Sequence, residues 1–196
     1  MPSGQTHDRI TLWSLPAVTG LTLAVTRSSN LALIVSGGFL FSGLMFSPDL
    51  DLRSRPFKRW GWLRWIWIPY QKVMRHRSFF SHGLLIGTTL RVLYLAVCFL
   101  LLGVFIVGII QLFRDIAWSW QGLEREVRRS LFEHRVEWIA LFAGLELGAL
   151  SHSFSDWLGS TYKRFKRKGL RELQPQKVKP KKPRRKSGRV KRRNSQ

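Results

Sequence analysis

Residues 92–113 carry no charge, and Gln111 is their one strongly polar side chain. A helix needs about 20 apolar residues to cross a hydrocarbon core, so this stretch predicts a transmembrane helix and a membrane setting for the whole chain. Three weaker apolar segments accompany it. Residues 10–26 are interrupted by Pro16 and Gly20, and residues 31–46 carry Gly37, Gly38 and Gly43. Residues 138–150, extended by 151–158, carry Glu146. Small residues in the first two segments (Ala17, Gly20, Ala24, Ser36, Gly37, Gly43) suit close helix contact in lipid. The link at 27–30 is short, so these two segments are expected to form an antiparallel hairpin. The expected fold is all-α: a small polytopic membrane helix bundle of about four membrane-embedded helices over residues 1–168.

The polar remainder is organised by charge. Of the formal net charge of +22, residues 163–196 hold +16, with 17 Lys/Arg against Glu172 alone. Residues 169–196 are Lys/Arg/Pro-rich and have little to bury, which predicts a disordered basic tail. Such a tail suits an anionic partner, either anionic lipid or nucleic acid bound through its phosphates. Between the second and third apolar segments, Trp60, Trp62, Trp65, Trp67 and Tyr70 interleave with Lys58, Arg59, Arg64 and Lys72. Amphipathic rings beside cations favour the headgroup layer, so an interfacial Trp-rich segment is expected. A stacking surface for single-stranded nucleic acid is the alternative. Residues 114–135 mix acids and bases and read as a solvated helix at the membrane edge. The single cysteine, Cys98, lies in the apolar run and excludes an intrachain disulfide or a cysteine-based zinc site.

Orientation follows from the basic blocks. The positive-inside rule puts the 47–82 loop and the tail in the cytoplasm. Four crossings with both termini inside satisfy it, in an inner, plasma or thylakoid-type membrane. The same topology gathers a set of metal-ligand residue types at the cytoplasmic boundary: His7, Asp49, Asp51, His76, His82, His152 and Asp156. Imidazole nitrogen and carboxylate oxygen are what a borderline or hard divalent ion takes, zinc, manganese or a similar ion. His152 and Asp156 are spaced i, i+4 and share one face of a helix. Asp49 and Asp51, on an extended backbone, would share one side. Ser151, Ser153 and Ser155 are placed to hydrogen-bond the ligands. His134 falls at the opposite boundary and reads as a surface histidine. Glu146, about six positions before His152, lies on another helical face and reads as a partner for a second buried group.

These motifs are also familiar in combination. Thr6-His-Asp-Arg-Ile-Thr11, the Pro48-Asp-Leu-Asp51 run, His76-Arg-Ser and Ser81-His82, and His152-Ser-Phe-Ser-Asp156 resemble an uncharacterised family of metal-binding membrane proteins found in cyanobacteria. They are similar, too, to motifs of inner-membrane metal-dependent hydrolases, in which a threonine stands where this chain has Ser81. The resemblance implies metal binding over roughly residues 1–168 and leaves the reaction open. One expectation is a metal-dependent hydrolase of phosphate-bearing or lipid-linked substrates, with Arg77 placed to pair with a phosphate. The other is a non-enzymatic membrane scaffold with a structural metal and a tail that binds anionic lipid or nucleic acid. No internal repeat supports a transporter.

Overall fold

The computed structural model describes residues 4–74, 83–114 and 118–173, with side chains up to 167. Among these residues every regular element is helical. The helices are α1 (Gly4–Thr26), α2 (Ser29–Leu44), α3 (Arg55–Arg59), α4 (Trp67–Val73), α5 (Ile86–Phe113), α6 (Trp120–Glu133) and α7 (Arg135–Leu173), with 3-10 turns at Pro48–Asp51 and Gly61–Ile66. Met1–Thr161 forms one compact unit and Tyr162–Gln196 a second. In the second, α7 runs on to Leu173, past residue 168 where the sequence suggests the tail begins. The tail from 174 onward lies outside the described residues.

A two-residue turn joins α1 to α2. Arg27 adopts the left-handed region (φ 51°), and its N–H still donates to the Leu23 carbonyl at 2.8 Å. Ser28 then caps α2, its Oγ accepting from Leu31 N. Contacts pair Thr11 with Gly43 and Thr19 with Ser36. The numbers rise on one helix as they fall on the other, so the two are antiparallel. Thr19 and Ser36 hydroxyls meet at 2.7 Å, and a Cβ on Gly43 would lie 2.5 Å from the Thr11 side chain.

Helix α7 packs on α2 through glycines. A Cβ on Gly144 would collide with the Val35 carbonyl oxygen, and one on Gly148 would lie 2.6 Å from Ser42 Cβ. Gly38 meets the α7 backbone in the same way, at 2.9 Å from the Leu141 carbonyl. Position numbers rise together along this contact, so α2 and α7 run parallel. The spacing of Gly144 and Gly148 is the small-x-x-x-small pattern of closely packed helices. Of the two adjacent glycines in α2, Gly38 makes the contact, while Gly37 faces open space.

The aromatic segment divides in a way that composition does not show. Phe46, Leu50, Phe57, Trp67, Tyr70 and Leu145 form the buried core beyond the end of α2 and against the first half of α7. Trp60 stacks edge-on to Trp67 at 5.2 Å and donates its Nε1–H to the Met45 carbonyl. Trp62 and Trp65 stay exposed, at 80% and 65%. The expectation of an interfacial segment is therefore corrected for Trp60, Trp67 and Tyr70, which serve as core. Short 3-10 and α turns rotate successive rings to opposite sides, so one segment supplies both.

Two segments among the described residues are long and apolar enough to cross a membrane: Ser29–Asp51 and Ile86–Phe113. They differ in setting. The first is largely enclosed by neighbours. In the second, Leu100, Leu101 and Leu102 point in successive directions and all are exposed. Only the start of α5 docks on the core, through Val92, Tyr94 and Leu95, with the Tyr94 hydroxyl donating to the Ile66 carbonyl. Helix α1 is diluted by Thr6, Thr11, Ser14, Thr19, Thr22 and Thr26, and α7 by Glu137, Glu146, His152 and Asp156.

Candidate metal centre

Three elements deliver four of the seven expected residues to one place. His7 stands on the first turns of α1 and is buried. Its neighbour Asp8, turned about 100° around the helix, accepts from Arg55 at 2.9 Å and from Arg59 at 2.7 Å. Arg59 also donates to the Leu44 carbonyl at the end of α2. This clasp holds the start of α1 against the segment after α2, with the His7 ring directed inward.

Asp49 sits in the 3-10 turn that Pro48 opens. The turn is pinned from outside. Ser54 Oγ donates to the Asp49 carbonyl at 2.7 Å, and Gln71 Nε2 donates to the carbonyls of Leu50 and Leu52 at 2.9 and 3.0 Å. His152 and Asp156 face the same point from α7.

The resulting geometry is close. The His7 and His152 rings stack at 4.0 Å between centroids and 25° between planes. His7 Nε2 lies 3.3 Å from Asp156 Oδ1, and His152 Nε2 lies 3.3 Å from Asp49 Oδ2. One ligand atom each from His7, His152 and Asp156 falls within 4.8 Å of the others. Both ring nitrogens of His152 and Oδ1 of Asp156 are buried without a hydrogen-bond partner. Polar atoms at 3.3 Å that do not align as donor and acceptor are unusual in a buried site, where an unmet polar group costs about 1–3 kcal/mol. The pattern fits groups aimed at a common point.

Ser155 is placed to set the His7 tautomer. Its hydroxyl donates to the His152 carbonyl at 2.8 Å and lies 2.7 Å from His7 Nδ1. A hydroxyl has one proton. With that proton on the carbonyl, Ser155 accepts from His7 Nδ1–H. The Nε2 lone pair of the neutral ring then points at the Asp156 carboxylate, an arrangement that repels unless a cation lies between. Burial first, and the neighbouring His152 ring second, hold His7 below the ordinary imidazole value, against the pull of Asp156 and Asp49. A neutral imidazole oriented by a hydroxyl is the form that ligates. The order Ser155–His7–Asp156 also resembles a nucleophile triad. There the serine proton would have to point at the ring, and here the His152 carbonyl competes for it at 2.8 Å.

The other expected residues separate. Asp51 is buried but belongs to a neighbouring group with Tyr70 and Arg91: burial raises the Tyr70 phenol, Arg91 opposes, and Asp51 adds to the rise. The expectation that Asp49 and Asp51 share one side assumed extended backbone. The chain instead forms a 3-10 turn, whose three residues per turn send positions two apart in different directions. His76 and His82, with Arg77 and Ser81, lie outside the described residues. Glu146 is buried, and its Oε1 accepts from Leu85 N at 2.8 Å, at the entry to α5 where Leu85 has φ 61°. Sequence reasoning missed Arg91, which is 1% exposed and donates to Thr88 Oγ1 at 3.0 Å. It stands immediately before the uncharged run that begins at Val92.

Comparison with known proteins agrees with this geometry. A family model described as uncharacterized metal-binding protein (DUF2227) matches residues 2–166. The chain belongs to this family. An uncharacterized protein of Aquifex aeolicus (strain VF5) is 39% identical over 59 residues, which is 30% of this chain and 41% of that relative. The aligned stretch thus spans well under two thirds of the relative. No solved structure matches.

Proposed function

We propose that this chain is an integral membrane protein holding a divalent ion, zinc, manganese or a similar metal, at its cytoplasmic face. His7, Asp49, His152 and Asp156 are its ligands, and His76 and His82 are candidates to complete the set. One observation carries the reading: nitrogen and oxygen ligand atoms from three separate elements meet at one point, and those of His152 and Asp156 are buried without a hydrogen-bond partner. Two imidazoles with two carboxylates are a donor set for zinc or manganese. Antiparallel α1 and α2, with α2 parallel to α7, supply the strand of alternation that four crossings require. Both termini and the site then fall on the side carrying the basic blocks.

The reaction class that suits this site best is metal-dependent hydrolysis of a phosphate-bearing or lipid-linked substrate. A bound divalent ion with an open position supplies Lewis acidity and a water of lowered pKa. The protein's own residues orient and insulate: Ser155 holds His7 in one tautomer, and Pro48 with the Ser54 and Gln71 hydrogen bonds fixes the Asp49 turn. The second reading is a structural metal that ties α1, α2 and α7 together in a scaffold, which the burial of His7 and His152 favours. In it, the basic tail recruits anionic lipid or nucleic acid. Purified full-length protein assayed on phosphomonoester and phosphodiester substrates separates the two. Turnover lost on chelation and restored by added metal supports the hydrolase. Absence of turnover in metal-loaded protein supports the scaffold.

A further inference from the structure

We propose that the segment after the Asp49 turn contains a binding site for the phosphate headgroup of an anionic phospholipid. The site is a concavity of about 250 Å³ lined by Arg53, Phe57, Lys58, Arg64, Trp65 and Ile68. Three of its six lining residues are cations and none is acidic. All three cations are exposed, and among the described residues none of them makes an ion pair. Their neighbours Arg55 and Arg59 behave differently, both being committed to Asp8. Arg64 is held over the Trp65 ring, 5.9 Å from its centroid, which keeps a flexible guanidinium at the rim.

The floor of the site is apolar, with Phe57 buried and Ile68 half-buried. Its lining includes Trp65, which is exposed at 65%. Cations with an apolar floor and an exposed indole match a ligand with an anionic head and an apolar body. Charge complementarity therefore selects an anionic phospholipid over a zwitterionic one. This inference rests on the membrane reading above and adds a specific lipid site to it. The 48–74 segment thus carries both Asp49 and the residues of the headgroup site.

The test uses full-length protein in neutral detergent, with tryptophan quenching by dibrominated short-chain phosphatidylglycerol and phosphatidylcholine. Saturable quenching by the anionic lipid at concentrations about tenfold below the zwitterionic one is expected. The Arg53→Ala/Lys58→Ala/Arg64→Ala variant should lose that preference while keeping its metal content, and Trp65→Phe should remove much of the quenching. Equal quenching by both lipids, or an unchanged preference in the triple variant, would overturn the site. Displacement by inorganic phosphate as effective as by lipid would show a free-phosphate site and also overturn it. Alkaline extraction of membranes tests the membrane reading separately: protein that washes off defeats that reading, whereas a retained triple variant without lipid preference isolates the site.

Discussion

At the residue scale, the centre depends on lone pairs that point inward and on the groups that aim them. His152→Ala and Asp156→Asn each remove a ligand atom and should reduce bound metal to background with the helical content kept, as followed by elemental analysis beside circular dichroism. Ser155→Ala is more discriminating. It removes the acceptor that fixes the His7 tautomer without touching a ligand, so metal affinity should fall by about 10–100-fold rather than vanish. A competition titration against a chromophoric chelator measures this, and unchanged affinity would show that the Ser155 hydroxyl does not orient the ring. The grouping of His7, Asp49, His152 and Asp156 was legible in the sequence because His152 and Asp156 have helical spacing and Pro48 opens the turn after α2. Asp51 was misplaced because the type of turn after a proline cannot be read from the motif alone. One residue of difference between extended and 3-10 backbone sends its carboxylate to Tyr70 and Arg91 instead.

At the element scale, the candidate ligands Asp49 and His152 are brought together where α2 and α7 touch backbone to backbone. Gly144→Leu places a side chain against the Val35 carbonyl. It should separate the helices, destabilise the protein by about 1–3 kcal/mol and lower metal content, since Asp49 follows α2 and His152 lies on α7. Gly37→Ala is the control. Its added methyl meets nothing within 4 Å, so it should leave metal content intact and stabilise α2 by about 0.5–1 kcal/mol. Thermal unfolding of the two variants in the same detergent gives the comparison, and equal losses would contradict the glycine contact. The hairpin of α1 and α2 could be read from a short link between apolar runs. The α2–α7 pairing could not, because more than 90 residues separate Gly38 from Gly144 and only the small-x-x-x-small spacing hints at it. The aromatic segment misled for another reason: periodicity is the signal that separates core from surface faces, and 3-10 turns only a few residues long do not repeat often enough to show one.

At the scale of the whole molecule, the apolar surface of α5 and the placement of charge argue for a membrane, and the convergence of ligands argues for a metal. A reporter active only outside the cytoplasm, fused after Gln196, should be silent, and one placed in the 114–119 link should be active. The opposite pattern would invert the topology. Truncation after Leu173 should leave membrane insertion and metal content unchanged while weakening salt-sensitive binding to anionic vesicles or nucleic acid. Loss of insertion would make the tail structural. The account as a whole stands on the claim that His7, Asp49, His152 and Asp156 form one metal site. Metal content of purified full-length protein, wild type beside the Asp49→Asn/His152→Ala double variant, tests it most directly. The account predicts about one divalent ion per chain in the wild type and none in the folded double variant. A metal-free wild type, or equal metal in both, would contradict it.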